Sequence, residues 1–234
     1  MIKVNKNPNI KYYIAIAIMA VITLAMIVSL VKPYINIPHN TKISKTETEN
    51  SQETELPKAN SENFLSLIDQ TDKQEVEFIM TDGSKFVMEV YPKVAPNTVE
   101  NFLKLVDEGF YDGLTFHRII EGFMAQGGAF DPENQLNDPA SSIKGEFKSN
   151  GFENKLSHQR GVVSMARAND PDSASSQFFI CYDDASFLDG DYAAFGYVTQ
   201  GMETVDSFLS AGTDENDRPL KEVKIQSAKI INRG

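Results

Sequence analysis

Cysteine is nearly absent from this chain. Cys181 stands alone, so no internal disulfide can staple the fold. Histidine is almost as scarce: His39, His117 and His158 are the only three, and none has a partner at a metal-ligand spacing, which argues against a zinc or iron centre. Positive charge is also in deficit. Lysine and arginine number 22 against 33 aspartates and glutamates, a net charge of −11, which argues against a general nucleic-acid binder because phosphate contacts demand a basic face. At 234 residues the chain has room for one sizeable domain and something smaller.

The segment Tyr12 to Val31 is apolar throughout, with Thr23 and Ser29 its only weakly polar members. A helix of that length spans a hydrocarbon core of ~30 Å. Tyr12, Tyr13 and Tyr34 fit the interfacial aromatic belt, and Lys3, Lys6 and Lys11 ahead of the span favour an N-terminus inside. A cleaved signal peptide would end in a small-x-small site, and none follows Leu30. A buried globular helix would carry a polar face, and this segment has none. The expected organisation is a short cytoplasmic N-terminus (1–11), a single-pass transmembrane signal anchor (12–31), a polar disordered tether (32–72) and a globular domain (73–234) outside the cytoplasmic membrane. The tether is rich in Thr, Ser, Asn, Glu and Lys and has no apolar stripe that could bury a core. As flexible coil its ~40 residues would reach roughly 35 Å. Phe64 to Ile68 is expected to form a short helical turn against the domain.

Within the domain, Glu75 to Met80 and Lys85 to Tyr91 alternate around Thr81-Asp-Gly-Ser84, a hairpin signal. Ala95 to Gly109 reads as a helix, with Pro96 in its first turn, Val99, Phe102, Leu103 and Val106 on one face, and Gly109 as the stop. Strand-like runs follow at Thr115–Ile120, Phe123–Gln126, Gly161–Ala166, Gln177–Tyr182 and Ala194–Thr199. Met202 to Ala211 fits a second helix, and Glu222 to Ile231 a closing strand. Many short strands with two helices argue for a mainly antiparallel barrel or sandwich capped by those helices.

The most informative stretch runs from Phe116 to Phe130, where an arginine, two large apolar side chains and a glutamine gather around paired glycines. Such a group can hold a peptide carbonyl by hydrogen bonds while an apolar ring is buried beside it. That suits chemistry on a peptide bond in which no bond is broken. Three blocks then carry a resemblance: Phe116-His-Arg-Ile-Ile-x-Gly-Phe-Met-x-Gln-Gly-Gly128, Ser164-Met-Ala-Arg-Ala-x-Asp-Pro-x-Ser-Ala-Ser-Ser-Gln-Phe-Phe-Ile180, and Phe187-Leu-Asp-Gly-x-Tyr192 followed by Phe195-Gly196. From about Glu75 to Ile231 the chain resembles a cyclophilin-type peptidyl-prolyl cis/trans isomerase of the bacterial kind.

The resemblance implies a closed antiparallel β-barrel capped by two α-helices, no cofactor, and substrates that are proline-containing polypeptides. A monomeric catalytic domain is expected. It implies Arg118 as the principal catalytic residue, with Gln126 holding a carbonyl and orienting it. Phe123, Met124, Phe179 and Leu188 match the family's proline pocket, and Gln177 belongs to the same motif. Ala166 and Arg167 match the strand that runs beside the bound peptide. Phe187 stands where many eukaryotic members have tryptophan, and Tyr192 where they have histidine; loss of the indole donor predicts weak inhibition by cyclosporin. Taken singly, Arg118 is a surface ion pair, Gln126 a strand hydrogen bond, Arg167 a solvent-facing charge, and the apolar residues core. His158 reads as structural. After Gly128 the family's Thr- and Gly-rich loop is replaced by 129–142, which predicts an altered secondary pocket. A non-catalytic proline-peptide clamp is the rival function.

Overall fold

The computed structural model describes residues 72–137 and 141–232. The expected anchor, tether and Phe64–Ile68 turn lie outside the described residues. No helix among the described residues is long and apolar enough to cross a membrane.

Among the described residues eight strands form one sheet in the order β3-β4-β6-β5-β7-β2-β1-β8, and every pairing is antiparallel. Strands β1 (Gln74–Met80) and β2 (Lys85–Val90) make the expected hairpin, with Asp82 accepting from the Ser84 backbone and hydroxyl. Helix α1 (Pro96–Asp107) starts at its proline and stops ahead of Gly109, whose φ of 68° is easy only for glycine. Strands β3 (Thr115–Ile120), β4 (Met124–Phe130), β5 (Val162–Met165), β6 (Phe178–Cys181) and β7 (Ala194–Gln200) follow. Helix α2 (Met202–Ser207) tightens into a 3-10 turn (Phe208–Ala211) before β8 (Ile225–Asn232).

Register shifts interrupt the ladders of β1 with β8, β2 with β7, β3 with β4 and β5 with β7. Each such bulge sharpens the local twist, and together they curl the sheet. The interior is filled by aromatic rings: Phe78, Phe86, Phe102, Tyr111, Phe116, Phe178 and Phe195 are all buried. Helix α1 contributes Phe102, whose ring lies 5.1–5.7 Å from those of Tyr111, Phe178 and Phe195. Tilted and edge-to-face contacts of this kind are favoured by the ring quadrupoles.

The closed barrel of the sequence reading is met in coarser form, as a curled sheet whose edge strands touch over a short stretch. Phe116 N donates to Val223 O at 2.8 Å and Ile225 N to Leu114 O at 2.9 Å, beside a bridge between Thr115 and Lys224. Farther along β3 the edge is occupied by a loop instead, because Ile119 N donates to Asp217 O at 2.9 Å. A full β3–β8 ladder has no place there. Strand β4 also runs past the expected Phe123–Gln126, through both glycines to Phe130.

Candidate functional site

Alternation along β3, β4, β6 and β5 divides this part of the sheet into two faces. Ile119, Ala125, Ile180 and Val163 are register partners and face the aromatic core. The intervening positions are partners too: Arg118 with Gln126, Ile120 with Met124, Gln126 with Phe179, Met124 with Cys181, and Phe179 with Ser164. These share the opposite face, where a second apolar cluster sits apart from the core. Met124, Phe179, Cys181 and Ala185 are buried in it, and Ile120, Phe123, Ala166, Leu188 and Tyr192 pack against them.

The structure thus brings Phe123, Met124, Ala166, Phe179, Leu188 and Tyr192 together. Tyr192 meets Phe179 edge-on at 6.1 Å, and Phe187 lies 5.4 Å from Phe123 while remaining 65% exposed, so it forms a rim more than a wall. Beneath Phe179 the His158 ring is stacked at 6.0 Å. Its Nδ1 lies 2.7 Å from Asp189 Oδ1 and its Nε2 2.9 Å from Ser164 Oγ, a pattern that fits Nδ1–H donating and Nε2 accepting. His158 is 1% exposed and acts as the structural support expected of it. Burial pushes the Asp189 carboxyl up, but hydrogen bonds from His158 and Ser157 outweigh it and leave the group below the usual carboxylate range. Burial likewise raises the Cys181 thiol far above its ordinary range, so at neutral pH this pocket residue is an inert apolar group.

Beside the apolar cluster stand the polar groups. Arg118 is about one-quarter exposed and donates from both Nε and Nη2 to Asp217 Oδ2, each at 3.3 Å. Gln126, directly across the ladder from it, donates through Nε2 to Gln177 Oε1 at 2.9 Å. The Gln177 carbonyl in turn accepts from Ala166 N at 2.9 Å, so this one residue ties the end of β5 to the site face. The side chain bonded to Arg118 is therefore Asp217, which the sequence reading did not single out, and not Gln126.

Arg167 lies at the surface, and its guanidinium is engaged there. Its guanidinium lies over the Tyr192 ring at 4.7 Å and the Phe147 ring at 5.1 Å, and donates to Asp191 O at 3.0 and 3.1 Å. Cation–π contact and a rigid fork suit arginine to this place. These contacts tie Arg167 to the Tyr192 ring and to the residue before it.

The loop after Gly128 keeps one left-handed turn despite its missing glycines. Asn134 adopts φ 61°, a conformation asparagine tolerates, and Asp131 Oδ1 accepts from Gln135 N at 2.7 Å. Leu136, 56% exposed, bridges back to Phe130. Residues 138–140 lie outside the described residues.

An arginine and two glutamines bordering an apolar cluster on the outside of a curled antiparallel sheet define a protein built to hold a peptide amide next to a ring. Comparison with known proteins agrees. The family model described as cyclophilin type peptidyl-prolyl cis-trans isomerase/CLD matches residues 75–230. The peptidyl-prolyl cis-trans isomerase cyp18 of Streptomyces antibioticus is 40% identical over 163 residues, covering 64% of this chain and 95% of that one. Peptidyl-prolyl cis-trans isomerase B of Bacillus subtilis is 41% identical over 150 residues, covering 64% and 96%. A crystal structure of a Cryptosporidium parvum cyclophilin type isomerase in the presence of the dipeptide Ala-Pro superposes with a TM-score of 0.59 at 30% identity, over 67% of this chain and 98% of that one. The chain belongs to the cyclophilin-type peptidyl-prolyl cis/trans isomerase family.

Proposed function

We propose that this chain is a membrane-tethered peptidyl-prolyl cis/trans isomerase that rotates X-Pro bonds in exported or surface proteins, on the pattern of bacterial cyclophilins. The observation that carries the catalytic reading is the shared outer face on which Arg118 and Gln126 stand opposite each other, next to the Met124–Phe179 cluster.

Rotation about an X-Pro amide is slow because partial double-bond character sets a barrier of ~18–20 kcal/mol. In the twisted transition state conjugation is lost, and the proline nitrogen gains a usable lone pair. The proline ring enters the pocket of Phe123, Met124, Phe179, Leu188 and Tyr192, with Phe187 at its rim. Arg118 donates to the nitrogen or to the rotated carbonyl oxygen, which stabilises the twisted amide more than either planar form. Gln126, held by Gln177, takes a substrate carbonyl, and the 166–167 strand end runs beside the peptide. Only rotation occurs, so no proton or electron needs to be moved and no cofactor is required.

A protease-coupled assay on a proline peptide tests this directly. The purified chain should accelerate isomerisation above the spontaneous rate. Binding of the peptide without acceleration would favour the rival, a proline-peptide clamp.

The apolar segment 12–31, the lysines ahead of it and the polar segment 32–72 support a single-pass anchor with the catalytic domain outside the membrane. Protease shaving of intact cells checks the placement. Release of the domain without lysis is expected, and full protection until lysis would put it inside.

A further inference from the structure

We propose that Asp217 is a positioning residue of this site: its carboxylate aims the Arg118 guanidinium so that the donors it leaves unengaged face the peptide amide. The inference rests on the isomerase reading above and concerns the same reaction.

Three observations support it. First, both donors that Asp217 engages, Nε and Nη2, lie on one edge of the fork, which leaves the Nη1 side outside the pair. At 3.3 Å these contacts are longer than the ~2.7–2.9 Å of a strong charge-assisted bond, so the pair orients the guanidinium through one edge and leaves Nη1 outside the pairing. Second, Asp217 is bound to β3 twice, because its backbone carbonyl also accepts from Ile119 N at 2.9 Å, the residue after the arginine. The carboxylate therefore keeps a fixed place relative to the strand that carries Arg118. Third, the loop that presents it is rigidly closed. Asp214 N donates to Arg218 O and Asp217 N to Asp214 O, while Asp214 Oδ1 accepts from both Asn216 N and Arg218 N. A long arginine side chain loses much rotamer freedom when it is fixed, so a partner that orders it before substrate arrives lowers the barrier to the reactive arrangement.

The backbone of Asp217 decides which variants can test this. Its φ of 62° suits Asp, Asn and Gly, whereas a Cβ without a polar group is strained there. Asp217→Asn and Asp217→Gly remove the charge and the whole side chain with little backbone penalty; Asp217→Ala would confound the result.

The test uses the full chain in detergent, with kcat and KM measured separately in the protease-coupled assay. Coupling across a partly exposed ion pair predicts a fall in kcat of about two- to fivefold for Asp217→Gly, with KM nearly unchanged. In the Arg118→Ala background the same change should lower kcat no further, and the Arg118 Nε–H resonance should move in Asp217→Asn. Wild-type kcat in Asp217→Gly, or an equal loss with and without Arg118, would overturn the proposal, the latter assigning Asp217 a merely structural role. If wild type itself shows no acceleration, the isomerase reading falls and this inference falls with it; an active wild type with an unaffected Asp217→Gly sinks the inference alone.

Discussion

Thr98 and Glu146 stand 48 positions apart, yet the Glu146 carboxylate accepts from the Thr98 backbone N–H at 2.8 Å and from its hydroxyl at 2.7 Å. The same carboxylate takes the Asn97 backbone N–H at 2.9 Å and its amide at 2.8 Å. Helix α1 has Ala95 at its N-cap, which offers no side-chain acceptor, so its orphan N–H groups are satisfied from a distant loop. The negative charge also meets the positive end of the helix. Glu146→Ala strands several buried donors and is expected to cost about 2–4 kcal/mol, with Glu146→Gln costing less. Urea denaturation measures both. A cost under about 0.5 kcal/mol for the alanine variant, within the range of neutral surface changes, would show that the cap is dispensable.

Arg118→Ala should lower kcat/KM by about 10²–10³, the usual effect of removing one transition-state donor. Circular dichroism should be unchanged, since the side chain lies on the outer face of the sheet, away from the aromatic core. A loss below tenfold would mean that another group supplies most of the stabilisation.

Phe187 is expected to make cyclosporin a weak inhibitor, because a phenyl ring has no indole N–H to donate. Phe187→Trp should tighten inhibition. The substitution sits on a rim residue 65% exposed, so stability should stay within about 0.5 kcal/mol. Equal inhibition of both forms would remove Phe187 from the account of drug binding.

His117 gives the fold a pH dependence. Burial, reinforced by the charges of Arg118 and Arg218, holds its imidazole down at about 4 against an ordinary 6.5. The unfolded chain therefore binds the proton first. Stability from this group is complete above about pH 6.5 and is lost as the pH falls toward 4, on the order of 3 kcal/mol in all. Urea midpoints at pH 7 and pH 5 should differ in the wild type and converge in His117→Asn. A difference that survives the substitution would assign the effect elsewhere.

The elements were largely legible in the sequence because their signals are local. Pro96, Gly109, the Asp82-Gly83 turn and period-two alternation mark α1 and the strands within a few residues of where they lie. Alternation alone puts Met124 and Gln126 on one face of β4, and the β4–β6 register then sets Phe179 beside them. Local pattern fails at Gly127 and Gly128, which read as the end of β4. A Cβ at Gly127 would lie 3.0 Å from the Phe116 ring, and Gly128 has φ 90° with Ser176 O 2.9 Å from where its Cβ would be, so the glycines permit close packing inside a continuing strand. Glu146 and Asp217 were invisible for a different reason. Each is a polar residue in a loop, indistinguishable from its solvated neighbours until the fold brings it to a helix end or to an arginine.

Strand β8 pairs with β1, the last of the described strands with the first. On a ribosome this imposes an order of events. Val76 and Phe78 are made early, and β1 keeps an open edge while six other strands are synthesised. Because long-range pairing is slow and unpaired edges invite aggregation, the nascent domain is most vulnerable just before residues 225–232 emerge. The loop bearing Asp217 emerges immediately ahead of that strand. On this timetable, the loop that carries Asp217 can reach Arg118 only after β1 to β7 have all been made.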